Sequence, residues 1–360
     1  MQSQYRSPQP IACLKDTVSA VDSPVCQRPQ WSNFRRYSHT SEAGNHALIL
    51  DLDNTLTDTR RWFADFILGA TDALASDLML PTSLVNSHFA DVALSTTLHE
   101  YAYVVESICS LLNRHKHLTY KQISQAAEQF WSRFSEAHQK IKAYEGVKET
   151  LVSLRSQFPT LKIVILTDSP YWVALERLSI VGLLAYVDGV VAIRSEEPRL
   201  SREGYRECVR ASRARVEKVM KSVDKRNLQL NLSLPANFAK PSSCGIELIA
   251  RRLSLGDGKL VICGDKDSKE GLAAHNFRLR QEHLSASSQC TIDFVRADYG
   301  NHDLDDPRYR LLARQIHSLS GSGNSNSAPV AVSRSIQRFE QLFGAVGSIL
   351  SRESRTKNAA

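Results

Sequence analysis

Ala47-Leu48-Ile49-Leu50-Asp51-Leu52-Asp53-Asn54-Thr55-Leu56-Thr57 is the stretch that sets the architecture of this chain. Four apolar residues run without a break and then give way to acids and threonines. A half-exposed strand would alternate apolar with polar side chains. An unbroken apolar run of this length suits a strand covered on both faces, as in a parallel sheet. The pattern returns at Ile163-Val164-Ile165-Leu166 before Thr167-Asp168-Ser169, at Val190-Val191-Ala192-Ile193, and at Leu260-Val261-Ile262-Cys263 before Gly264-Asp265. A weaker fifth copy spans Thr291 to Val295. Helical stretches lie between them, at Val147 to Phe158, Tyr171 to Leu183 and Gly245 to Leu253. Strands alternating with helices predict an α/β fold with a doubly wound parallel sheet.

The rest of the chain is organised around this core, which we expect over residues 45–60 and 143–318. Residues 61–142 break the alternation and read as helices in series, with Trp62, Phe63, Phe66, Ile67 and Leu74 at helical spacing, then Tyr101 to Leu112 and Tyr120 to His138. We expect an all-helical cap there, inserted over the strand ends. Residues 1–44 are polar, broken by Pro8, Pro10, Pro24 and Pro29, and read as a disordered tail without a secretion signal. Residues 319–360 read as a flexible Gly/Ser/Asn linker and an amphipathic helix bearing Ile336, Phe339, Leu342, Phe343, Val346, Ile349 and Leu350. That helix docks either on its own core or on a second copy of the chain, as a homodimer.

Composition excludes several classes. With 42% apolar and 23% charged residues among 360, the chain is of ordinary globular type. No uninterrupted apolar run reaches the roughly 18 residues of a membrane-spanning helix, so no transmembrane segment is expected. The 7 cysteines form no CxxC pair, which argues for a reducing, cytoplasmic setting rather than a disulfide scaffold. The net charge of +7 is concentrated: Arg199 to Arg226 holds ten Lys/Arg against four acids, a local +6. We expect a basic insertion over 199–238.

Ligands of open α/β sheets bind beyond the carboxyl ends of the strands. Asp51 and Asp53 follow the first strand, Thr167 the second, and Asp265 and Asp267 the fourth, while Lys240-Pro241 precedes a helix. A parallel sheet makes these side chains converge. Crowded carboxylates repel and take up protons unless cations intervene. Mg²⁺, held by few carboxylates and several waters, is the natural partner. Acids, a metal and a lysine together suit a phosphate ester. Asp51 then attacks phosphorus, and Asp53 serves as acid and base. Thr167 and Lys240 hold the non-bridging oxygens, and Asp265, with Asp267, anchors the metal.

These residues resemble the haloacid dehalogenase-like (HAD) hydrolase superfamily. Asp51-Leu52-Asp53-Asn54-Thr55 resembles its first motif, DxDxT; Ile163 to Thr167 the second; Lys240-Pro241 the third; and Gly264-Asp265-Lys266-Asp267 with Gly271-Leu272-Ala273-Ala274 the fourth. Ala143 to Val147 resembles the segment re-entering the core from the cap. The resemblance spans about residues 46 to 300. It implies a Rossmann-like core, a helical cap between the first and second motifs, and Mg²⁺-dependent phosphoryl transfer through an aspartyl-phosphate on Asp51, with Asp53 also offering the metal its backbone carbonyl. Asp53 marks phosphatases and mutases, since dehalogenases lack it. The sequence departs from the pattern twice. The family spaces its fourth-motif acids as GDxxxD or GDxxxxD, and counting from Asp265 selects Lys269 or Glu270. A lysine cannot bind a cation, so Glu270 or the nearer Asp267 takes the place; we assign Asp265 first and Asp267 second. The other departure is the basic insertion ahead of Lys240.

The expected activity is hydrolysis of small phosphate monoesters, with a phosphomutase or phosphotransferase as the sibling reading. The competing class is a binding protein whose basic segment, 199–226, meets nucleic acid or anionic lipid. Only Tyr205 accompanies those charges, so stacking on bases has little support, and a solvated helical arm is the plainer reading.

Overall fold

In the computed structural model, residues 46–96, 102–112, 118–195, 205–282, 290–301 and 331–357 are described. The tail expected over 1–44 and the linker through Ser327 lie outside them. Strand β1 (Ala47–Leu50) runs through the middle of a seven-stranded parallel sheet. The others are β2 (Lys162–Pro170), β3 (Gly189–Ile193), β4 (Leu230–Leu234), β5 (Lys259–Gly264), β6 (Thr291–Ala297) and β7 (Arg334–Ile336). Their order is β4-β3-β2-β1-β5-β6-β7, with every pairing parallel. This is a Rossmann-like α/β fold. All four side chains of β1 are fully buried, which is why its sequence shows no polar alternation. Leu50 lies level with Ile165 of β2 and Cys263 of β5. The polar residues following these strands therefore emerge at one edge. The chain winds toward β4 from one side of β1 and toward β7 from the other, so the sheet's switch point lies between β1 and β5.

Two strands go beyond the five expected. Leu230-Asn231-Leu232-Ser233-Leu234 falls inside the segment expected as an insertion, yet it forms edge strand β4. Only Leu230 and Leu234 are buried there, so its pattern is the alternation of a half-covered edge. Strand β7 has three residues, too few to display a period, and it takes Ile336, which was expected on the C-terminal helix; that helix starts only at Gln341.

The chain leaves the core after Thr57 and returns at Ala143. Thr57 and Ala143 pair antiparallel; Asp58 N–H donates to Lys142 O at 3.2 Å and Tyr144 N–H to Leu56 O at 3.0 Å. Between these linkers run α1 (Arg60–Leu78), α2 (Thr82–Thr96), α3 (Val104–Leu112) and α4 (Tyr120–His138). A capping box between Thr119 and Gln122 starts α4. Its buried residues Ile123, Ala127, Phe130, Trp131 and Phe134 fall on one helical face, and Phe130 and Phe134 meet Phe66 of α1 edge-on at 5.3 and 5.2 Å.

Helices α5 (Val147–Gln157) and α6 (Tyr171–Ile180) follow as expected. Helix α7 (Tyr205–Ser222), the basic segment, connects β3 to β4 but packs along α4 of the insert. Trp131 Nε1 donates to Ser212 Oγ at 2.9 Å, and the Ser212 hydroxyl donates to Glu106 Oε1 of α3 at 2.5 Å. Val209 and Val219 are buried, while Arg210, Lys218 and Lys221 face solvent. Helices α8 (Cys244–Arg252), α9 (Leu272–Gln281) and α10 (Gln341–Lys357) complete the described elements. The apolar stripe of α10 lies on the chain's own core: Leu342, Ala345, Val346 and Ile349 are buried, and Phe343 approaches Phe158 of the α5 C-cap with ring centroids 6.3 Å apart.

Glu106 makes the packing of α7 on the insert pH-sensitive. Burial pushes its carboxyl up to about 7, against the opposing pull of the Ser212 hydrogen bond. An exposed glutamate releases its proton near 4.5. Between those values the unfolded chain binds fewer protons than the folded one, so Glu106 lowers stability as pH rises. Glu106→Gln mimics the protonated form. The stability difference between variant and wild type, from urea midpoints, is expected to widen in the variant's favour by up to roughly 3 kcal/mol across this window.

Candidate active site

Asp51 is the first residue beyond β1, and its N–H still donates to Cys263 O of β5 at 2.9 Å. The sheet therefore fixes its backbone. The chain then turns tightly: Asn54 takes a left-handed φ of 61°, and the N–H groups of Leu56 and Thr57 both reach Leu52 O. Lys240 Nζ lies 2.5 Å from Asp51 Oδ1 and 2.5 Å from Glu270 Oε1, and it donates to Leu166 O at 3.1 Å. Carboxylate oxygens of Asp51, Asp265 and Glu270 lie within 4.8 Å of one another, all buried. Three strand ends and the β4–α8 connection thus meet in one small volume.

Asp168, which the sequence reading passed over, orders this connection. Its Oδ1 accepts the Lys240 N–H at 2.8 Å and its Oδ2 accepts from Lys269 Nζ at 2.7 Å. Burial would raise its pKa, but Lys240 and Lys269 outweigh that and hold it low.

The structure puts Glu270, not Asp267, beside Asp51 and Asp265, which corrects the expectation for the second acid of the fourth motif. Asp267–Gly271 forms a single π-helical turn, with Gly271 N–H reaching back to Lys266 O at 3.3 Å. This turn swings Glu270 back over the strand end, where its Oε2 accepts the Lys266 N–H at 3.1 Å. Asp267 is directed elsewhere: it is 45% exposed and paired with Arg296 at 3.0 Å. Gly264 makes room for Glu270, since a Cβ there would lie 2.1 Å from Glu270 Cγ. Gly300 performs the same service for the Asp51 loop, because its Cβ would lie 1.9 Å from Asn54 O. Beside it, Tyr299 Oη donates to Thr55 O at 2.7 Å.

Asp53 faces another way. Its Oδ1 is paired with the Arg177 guanidinium and its Oδ2 accepts from Ser169 Oγ at 2.5 Å. Its carboxyl is not one of the three that cluster. Thr167 is buried at the end of β2, where its Oγ1 accepts the Ser169 N–H at 3.1 Å. Arg177 is only 1% exposed and carried no signal in the sequence, where it reads as one polar residue within a helical stretch.

The electrostatics follow from burial. Desolvation pushes the Asp51 carboxyl well above its usual range; Lys240 opposes this, while Glu270, Asp265 and Asp53 add to it. Burial would lower Lys240, but Asp51, Glu270 and Asp168 outweigh it and hold the ammonium charged. Fully ionised, three carboxylates less one ammonium would carry two negative charges in the cluster. A divalent cation with oxygen ligands balances them, and the donor set is one that hard cations take. The site fits such an ion.

An acid cluster with a buried lysine thus lies at the switch point of a parallel α/β sheet, where such folds place their ligand sites. Residues 46–221 match the model of the haloacid dehalogenase-like hydrolase family. None of the curated proteins matches. Several solved structures are similar. A HAD phosphatase from Thermococcus onnurineus is 17% identical with a TM-score of 0.45, over 84% of this chain and 98% of that one. A 2-haloacid dehalogenase from Pseudomonas syringae is 12% identical with a TM-score of 0.49, over 84% and 99%. A HAD-superfamily hydrolase from Geobacter sulfurreducens is 13% identical with a TM-score of 0.41, over 86% and 100%.

The close approach of Glu270 to Gly264 yields an expected outcome. Gly264→Ala displaces Glu270 and weakens divalent-cation binding by about 10–100-fold, measured by titration calorimetry.

Proposed function

We propose that the protein is a magnesium-dependent phosphoric monoester hydrolase, acting on small phosphorylated substrates by way of an aspartyl-phosphate on Asp51. One observation carries this reading: the Lys240 ammonium is shared by Asp51 and Glu270, with the Asp265 carboxyl against them. A fixed cation beside a nucleophilic oxygen favours an oxyanionic electrophile. An oxygen of Asp51 attacks phosphorus, the ester P–O bond breaks, and the leaving oxygen takes a proton from Asp53. Water then attacks the phosphorus of the aspartyl-phosphate and gives a proton to Asp53. Inorganic phosphate departs and Asp51 is restored. Lys240 and Thr167 hold the non-bridging oxygens, where charge must be met.

Asp51, Asp265 and Glu270 are the side chains that would hold magnesium. When bound, it supplies positive charge at the phosphoryl oxygens. The Asp53 carboxyl handles protons in this scheme, and Asp267 stays with Arg296. The insert from Arg60 to His138 acts as the cap that shapes the leaving-group pocket. A cytoplasmic setting agrees with the buried thiols of Cys263 and Cys290.

Phosphate release from para-nitrophenyl phosphate tests the reading. Activity is expected with Mg²⁺, to vanish on chelation, and to fall at least about a thousandfold in Asp51→Asn. Undiminished release without metal, or full activity in Asp51→Asn, refutes it. Transfer to an added alcohol without free phosphate would identify a phosphotransferase.

A further inference from the structure

One arginine of the basic helix turns inward. Arg215 of α7 donates to both oxygens of Glu176, at 3.0 and 3.2 Å, and its guanidinium lies 5.9 Å from the centre of the Trp172 ring. Glu176 Oε2 is 2.9 Å from Nδ1 of His138, the last residue of α4. His138 Nε2 is 3.2 Å from Arg177 Nε, and the Arg177 guanidinium meets Asp53. The series Arg215–Glu176–His138–Arg177–Asp53 draws its members from α7, α6, the end of the helical insert, and the loop after β1.

Donor chemistry fixes the proton positions. A guanidinium Nε only donates, so His138 Nε2 is the bare nitrogen and Nδ1 carries the hydrogen given to Glu176. Burial lowers His138 to about 4, which keeps the ring neutral in that tautomer. From Arg215 to Arg177 the series then runs positive, negative, neutral, positive, and it ends on the Asp53 carboxyl. Arg177 and His138 have essentially no exposed surface, so neither can exchange these partners for water. With Oδ1 of Asp53 engaged by the guanidinium, proton exchange falls to Oδ2, whose partner is the Ser169 hydroxyl.

We propose that Arg177 is the positioning residue for Asp53, and that α7 braces it through Arg215, Glu176 and His138. This rests on the monoesterase reading. A buried guanidinium holds the orientation of a carboxylate without touching the reacting atoms. Loss of that hold lets Asp53 swing away from the leaving oxygen, and misplacement by an ångström costs a large factor in rate. The brace also gives the segment between β3 and β4 a task that a solvated arm does not have.

The test compares kcat/KM for phenyl phosphate and para-nitrophenyl phosphate, esters of like size whose leaving groups differ in their need for a proton. In Arg177→Met, the phenyl ester is expected to lose about 100-fold, and the nitrophenyl ester about tenfold less than that, since general acid help is worth about 10²–10⁴. Arg215→Met, at the far end of the series, is expected to show the same selectivity at smaller size, and it carries the test should Arg177→Met fail to fold. Arg177→Lys is expected to recover part of the loss. Equal losses on both esters, or none, in these variants overturn the brace while the wild-type enzyme still hydrolyses both. A wild-type protein that releases phosphate from neither ester overturns the monoesterase reading, and the brace falls with it.

Discussion

A lysine ammonium held between two carboxylates, away from water, is the interaction on which this site depends. Lys240 touches Asp51 and Glu270 at 2.5 Å each, and all three are buried. Removing the lysine leaves buried carboxylates without their counter-charge, a loss of about 3–5 kcal/mol. The chain has arranged much of its local structure to keep the set together. Register brings the ends of β1, β2 and β5 level, so the backbone around Asp51 is not free to drift. Asp168 anchors the Lys240 N–H. Gly264 leaves the space through which Glu270 returns, and Gly300 lets the segment after β6 back the Asp51 loop. These neighbours fix the positions of the charged groups of the cluster.

The parts of the fold that could be read from sequence are those whose burial is symmetric. β1, β2, β3 and β5 are covered on both faces and appear as unbroken apolar runs. The edge strands obey other rules. Leu230 to Leu234 alternates because only one face is covered, and its position beside a run of lysines and arginines made it look like part of an insertion. Arg334–Ile336 is defined by pairing with β6 rather than by its own composition. α7 is a related case. Its apolar stripe is thin because much of its packing on α4 is polar, through Ser212 and Trp131, and such a face resembles a solvated one when only residue types are counted.

The site divides along the same line. Asp51, Asp53, Thr167, Lys240 and Asp265 were legible because each follows a recognisable strand or precedes a helix. The choice between Asp267 and Glu270 was not, because it depends on backbone geometry. An α-helical or extended course after Asp265 would present different residues to the cluster, and a π-turn is not encoded by spacing. Asp168 and Arg177 carried no signal because their meaning lies in partners far along the chain. Asp168 meets residues 240 and 269, while Arg177 meets residues 53 and 138. Periodicity reports which face of an element is covered; it does not report which polar group waits there.

The two acids of the DxD stretch show how that arrangement assigns work. Two carboxylates separated by one residue, sharing an environment, would repel and behave as a pair. Here each has its own counter-charge, delivered from a different part of the fold. Lys240 reaches Asp51 from the β4–α8 connection, and Arg177 reaches Asp53 from α6. The tight turn through Asn54 permits the divergence, since it takes the chain out of the sheet between the two side chains' partners. One acid is thereby placed among the groups that can bind a cation and a phosphoryl oxygen. The other is tied to α6, and through His138 to the last helix of the insert. Under the proposed mechanism this would distinguish nucleophile from proton carrier among identical side chains, by the company each one keeps.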